Sequence, residues 1–172
     1  MPTKSLEPQV RTTFATRNDI PPATRTESCK LLNTTLAATL DLWTQLKQAH
    51  WNVKGPNFYQ LHLLFDELAT AVYEYIDLVA ERITALAGVA NGTARQSASN
   101  SFLSEYPAVP ISEKEHLQAL AERLAAYGKH LRTAIDKTDE LDDQATNDVY
   151  IEIARTIDQK LWFIEAHLQE GH

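Results

Sequence analysis

The sequence predicts an all-α protein: a bundle of four long helices with one long central crossover that contains a short helix. Three observations predict it. Apolar residues recur at intervals of three and four over long stretches, without the alternation a strand requires. Only five glycines occur in 172 residues, and Gly55, Gly88 and Gly92 fall at the breaks between periodic segments. One break, Asn91 to Pro110, is far longer than ordinary connections in a compact domain. A chain crossing from one end of a bundle to the other needs such a length.

Each element follows in order. Residues 1–20 are polar, with Pro2 and Pro8, and read as a flexible N-terminal tail. The bundle then occupies residues 21–170. Pro21 and Pro22 lead into the first helix, where Thr24 and Glu27 have the spacing of a capping box. Leu32, Leu36, Leu40, Trp43 and Leu46 carry it to about Trp51, and Gly55-Pro56 stops it. Asn57 is placed to cap the second helix, whose stripe runs from Leu61 through Phe65, Leu68, Val72, Val79 and Ile83. Gly88 is expected to end it. The crossover is anchored by Phe102, Leu103 and Tyr106. Ser112 with Glu115 forms a capping box for the third long helix, marked by Leu117, Leu120, Leu124, Leu131 and Ile135. After an acidic turn at Asp139–Asp143, the last helix carries Val149, Ile153, Ile157, Leu161 and Ile164. This connectivity is that of a ferritin-like four-helix bundle.

Composition narrows the function. Hydrophobic residues make up 44%, enough for a real core, and the formal net charge is −7. An acidic chain is not held on nucleic acid or membrane by a uniformly basic surface. No segment has the apolar length of a membrane span. Cys29 is the only cysteine, so no intrachain disulfide forms, and it reads as a small buried hydrophobe. Met1 to Arg17 lacks the apolar middle of a secretory signal. The expected location is the cytoplasm, with nucleoid association as the variant.

The second helix carries a pattern that core packing does not require. His62 and Asp66 are spaced i, i+4, and so are Asp77 and Glu81, which makes the members of each pair neighbours. Asp66 to Asp77 is close to three whole turns, so both pairs share roughly one face. Three carboxylates and an imidazole suit iron, manganese or zinc. The pair midpoints lie about 22 Å apart along the axis, at roughly 1.5 Å per residue, so one ion cannot bridge them. Two chains related by a twofold solve this if their second helices run antiparallel, giving two equal sites. His50, at the end of the first helix, can reach the start of the second near His62. Taken singly, His50 is as well a capping or core histidine, and Asp77 with Glu81 a solvated face. The ordered combination favours a metal site. A competing motif, Glu-x-x-His at Glu113–His116, occurs once where an intrachain di-iron centre needs two. Its position in a first helical turn fits capping better.

The stretch His50-Trp51-Asn52-Val53-Lys54-Gly55-Pro56-Asn57-Phe58, followed by His62, Phe65-Asp66-Glu67, Asp77 and Ala80-Glu81-Arg82, resembles the Dps family of mini-ferritins (DNA-binding protein from starved cells). Leu161-Trp162-Phe163-Ile164-Glu165 is similar to that family too, and the resemblance covers Arg17 to His167. It implies a spherical homo-dodecamer with tetrahedral symmetry and a two-iron ferroxidase centre at each dimer interface. It implies His50, His62 and Asp66 as ligands from one subunit, with Asp77 and Glu81 of the partner subunit. Trp51 matches the tryptophan beside the centre. The implied substrates are Fe(II) and hydrogen peroxide, or oxygen, with ferric mineral stored inside and protection against oxidative stress as the outcome. Zinc is the implied inhibitor or alternative occupant.

The family's threefold pores are acidic. Glu122, Asp142 and Asp143 are the expected pore residues here, and His130 stands where related chains often carry an aspartate. DNA-binding members often use lysine-rich tails. This tail sets Lys4, Arg11 and Arg17 against Glu7 and Asp19, and the C-terminus Gln169-Glu170-Gly171-His172 adds nothing basic. Weak or absent DNA binding is expected at physiological salt. Two other classes stay open: a DNA-compacting structural protein with a secondary metal site, and a helical oligomer without metal chemistry.

Overall fold

A computed structural model describes residues 14–169. Five helices follow one another, α1 (Pro22–Asn52), α2 (Phe58–Ala85), α3 (Ala94–Asn100), α4 (Glu113–Glu140) and α5 (Gln144–Ala166). α1 and α2 form one antiparallel hairpin, and α4 and α5 form another. α1 lies beside α4, and α2 beside α5. Between α2 and α4 the chain traverses the length of the bundle, with α3 as the short helix packed on α1. The basic tail residues Lys4 and Arg11, and Glu170 to His172, lie outside the described residues.

Two polar ties fix the ends. At one end, Asn57 donates from its backbone N–H (2.8 Å) and its side-chain amide (3.1 Å) to Glu113. That joins the starts of α2 and α4, so these helices run parallel. At the other end, buried Asp143 accepts from Ser28 (2.6 Å), Arg82 (2.9 Å) and Thr146 (2.6 Å). That carboxylate gathers the start of α1, the end of α2 and the start of α5.

The core is a leucine-rich seam, Leu32, Leu36, Leu42, Leu46, Leu61, Phe65, Leu68, Leu120 and Leu124, all essentially inaccessible. Its centre is polar as well. Thr35 Oγ1 meets the Tyr150 hydroxyl at 3.1 Å and His130 Nε2 at 2.9 Å, and Thr39 Oγ1 meets the Tyr127 hydroxyl at 2.6 Å. Both tyrosines are completely buried. A buried hydroxyl must be paired, and the two threonines on α1 supply the partners.

Three helix-end expectations are corrected. The α1 cap at Thr24 and Glu27 does not form: the helix starts earlier, with Pro22 at its first position, and Glu27 instead pairs with Lys30 at 2.7 Å. A proline there has no N–H to cap. Asn57 precedes α2 but makes no side-chain cap; its side-chain amide is turned to Glu113 instead. At the end of α2 the left-handed residue is Ala87 (φ 63°), not Gly88. Ala87 N–H donates to Thr84 O and Gly88 N–H to Ile83 O, both at 2.9 Å, a Schellman closure. Gly88 serves another need: a Cβ there would lie 2.6 Å from Cys29 Sγ. The Ser112 box forms as expected, with Glu115 accepting from the Ser112 N–H at 2.7 Å.

Candidate metal centre

α1 ends and α2 begins on either side of a five-residue link, which brings His50 and His62 together. Their rings stack with centroids 3.8 Å apart. Phe58 also stacks with His62, with centroids 5.2 Å apart. Each histidine bonds the other's backbone: His50 Nδ1 to His62 O at 2.8 Å, and His62 Nδ1 to His50 O at 2.9 Å. A carbonyl only accepts, so both Nδ1 atoms carry the hydrogen. In the neutral ring the lone pair then lies on Nε2, free for a metal. An N–H···O=C bond of this kind commonly fixes the tautomer and orientation of metal-ligating imidazoles. The helices thus present two imidazoles already oriented.

Asp66 joins them one turn along α2. Its Oδ1 lies 3.9 Å from His50 Nε2 and 2.6 Å from Lys47 Nζ. The bond from Lys47 holds the Asp66 carboxyl below the ordinary carboxylate range, with His50 and His62 nearby adding to the effect. Trp51 is 62% exposed beside this group, its ring 5.9 Å from the Lys47 ammonium.

Asp77 and Glu81 are exposed near the other end of α2 and do not meet the histidines. Among the described residues, no group of three or more His, Cys, Asp or Glu side chains in one chain is arranged to hold a metal. One subunit therefore presents two separated parts: imidazoles with Asp66, and a carboxylate pair about three turns away. Both parts border an outward face of α2 that also exposes Tyr59, Leu63 and Tyr73.

The residues expected at a pore divide. Asp143 is 1% exposed and is corrected to a structural acid. Burial alone would raise its carboxyl, but the Ser28 and Thr146 hydrogen bonds and the Arg82 charge hold it below the ordinary range. His130 also has intrachain partners, Thr35 and the Phe102 ring at 4.7 Å. Burial lowers its ring to about 4. Glu122 is 75% exposed, with Arg123 at 2.9 Å, and Asp142 is exposed at φ 56°. About twenty residues of largely helical chain, roughly 30 Å, separate those two, so they cannot share one narrow ring. The Glu-x-x-His segment is structural: Glu113 holds Asn57, Glu115 caps, and buried His116 bonds the Tyr106 hydroxyl at 2.6 Å.

Sequence reasoning missed Lys47, which lies one turn before His50 on the same side of α1. It also missed the buried tyrosines Tyr127 and Tyr150.

Residues 29–172 match the ferritin-like domain family. The chain is 39% identical to a DNA protection during starvation protein of Agrobacterium fabrum over 158 residues, 92% of this chain and 98% of that one. Among solved structures it is similar to DpsC of Streptomyces coelicolor, with a TM-score of 0.89 and 33% identity, covering 95% of this chain and 94% of that one. Dps of Mycobacterium smegmatis gives a TM-score of 0.87 and 30% identity over 92% and 96% of the two chains.

Proposed function

Since this chain belongs to the Dps family of ferritin-like proteins, we propose that it is a ferroxidase and iron-storage protein. It oxidises Fe(II) at sites shared between subunits, with hydrogen peroxide as the favoured oxidant and oxygen as the slower one. Ferric product is kept inside a twelve-subunit shell. The observation that carries this reading is the reciprocal histidine pair: two imidazoles locked with Nε2 available, one carboxylate beside them and, among the described residues, no complete ligand group within one chain.

Antiparallel pairing of two α2 helices completes the site. Bringing the His62/Asp66 pair opposite Asp77 and Glu81 of the partner subunit sets the twofold beside Ala71 and Val72. The exposed Leu63 and Tyr73 are then covered by the partner, which accounts for an apolar face that water would otherwise meet. Iron is the substrate. Histidines and carboxylates leave coordination positions open for the oxidant. Two Fe(II) ions give one electron each to one peroxide. The O–O bond breaks, two hydroxides form, and no hydroxyl radical is released. Carboxylates favour the ferric product by charge, and the acidic chain (net −7) draws cations toward the shell. Protection against oxidative stress follows from consuming both reactants. No described helix is long and apolar enough to cross a membrane, and we assign the protein to the cytoplasm.

Mixing two inactive variants tests the shared site. His50→Ala/His62→Ala removes one half, and Asp77→Ala/Glu81→Ala removes the other. Each shell alone should oxidise iron at least tenfold more slowly than the parent, as the growth of ferric absorbance reports. Co-assembled from equal amounts, they should recover about one intact site in four, the statistical share for twofold pairs. No recovery in mixed shells would exclude a site built from two chains.

A relative's name, DNA protection during starvation protein, raises the alternative of a DNA-compacting structural protein. On the reading favoured here, protection proceeds through iron chemistry, and DNA binding is weak or absent. A mobility-shift assay at physiological salt should show no tight complex.

A further inference from the structure

We propose that Lys47 is the metal's internal competitor at this site, and that metal binding transfers its ammonium from Asp66 to the face of Trp51. The inference rests on the metal-site reading above and assigns a regulating residue outside the ligand set. Lys47 Nζ bonds Asp66 Oδ1 at 2.6 Å. His50 Nε2 lies 3.9 Å from the same oxygen, a gap that one ion can span with two bonds of about 2.1 Å. The ammonium therefore holds the carboxylate oxygen that a metal would take. It also stands 5.9 Å from the Trp51 ring centroid, at the edge of cation–π range.

Lys47 and Trp51 are i, i+4 neighbours on α1, so the side chain can settle on the ring by rotating its own bonds. A divalent ion at Asp66 Oδ1 repels the ammonium, and the indole face is the alternative acceptor within its reach. The lysine keeps its proton throughout, no covalent bond of the protein breaks, and no electron is transferred. The exchange replaces a Lys47–Asp66 pair by a metal–Asp66 bond and a Lys47–Trp51 contact. Its effect is a weaker site: an ion must displace the ammonium to bind Asp66, so half-occupancy needs about fivefold more divalent metal.

Zn(II), which has no redox chemistry, is the probe. The assembled protein carries Trp43→Phe and Trp162→Phe, so that Trp51 is the sole tryptophan. Zn(II) should then change the Trp51 emission. Lys47→Met should tighten Zn(II) binding about fivefold, the factor that an exposed ion pair represents, and abolish the emission change. Lys47→Arg should restore both. Equal Zn(II) affinity and an equal emission change in the parent and Lys47→Met proteins would overturn the proposal. His50→Ala/His62→Ala separates the two ideas. If Zn(II) affinity survives it, the metal-site reading fails; if it falls while Lys47→Met changes nothing, only the Lys47 assignment falls.

Discussion

His130 shows how far one side chain's setting departs from its chemical type. Its Nε2 faces Thr35, and its ring lies against Phe102. Burial lowers its proton affinity to about pH 4, against about 6.5 in an unfolded chain. Between these values the unfolded chain holds a proton that the folded chain lacks. Stability should therefore fall as pH drops from 6.5 towards 4, with no further loss from this group below that. His130→Gln, which keeps a hydrogen-bonding group towards Thr35, should remove that component, seen as a smaller drop in urea midpoint between pH 7 and pH 5. The residue scale is also where the sequence was least legible. His50, His62 and Asp66 declared themselves because a short link and an i, i+4 step force them together. Lys47 did not, since its partner sits on another helix. Asp143 sits in an acidic run that looks solvated, and only the fold shows Arg82 and Ser28 converging on it.

Among elements, the α1–α2 contact depends on Gly88 for room, while Ala87 bears the backbone strain. Ala87→Gly should stabilise the protein by about 1 kcal/mol, because a left-handed alanine costs roughly that much. Gly88→Ala should destabilise it by about 2 kcal/mol, because its methyl meets Cys29 Sγ. Cys29→Ala should offset part of that loss, a coupling that a double-mutant cycle in chemical denaturation measures. Arg82→Ala strands the buried Asp143 carboxylate and should cost about 3 kcal/mol in the same assay. Helix number, order and the long crossover were legible in the sequence because apolar period and glycine placement are local signals. Helix ends were less so: the Thr24 and Asn57 caps have the right residue types, yet Pro22 and Glu113 decide the outcome.

For the whole molecule, the sequence carried the idea of a shared site through one length: two ligand pairs on one helix too far apart for one ion. What it could not carry is which outward surfaces meet. A twofold across α2 makes a further prediction. Tyr73→Glu places a like charge near its own copy beside the twofold, and Leu63→Glu places one near Asp77 and Glu81 of the partner subunit; together they should convert the proposed shells into smaller species on size-exclusion chromatography. Oxidation should be lost with them even though every ligand is intact.

The reciprocal hydrogen bonds, from each ring Nδ1–H to the other histidine's carbonyl, have an implication for safety. On the proposed reading, a newly folded subunit is ready for pairing but, alone, a poor host for iron. Rust would then start to form only where two subunits have already met.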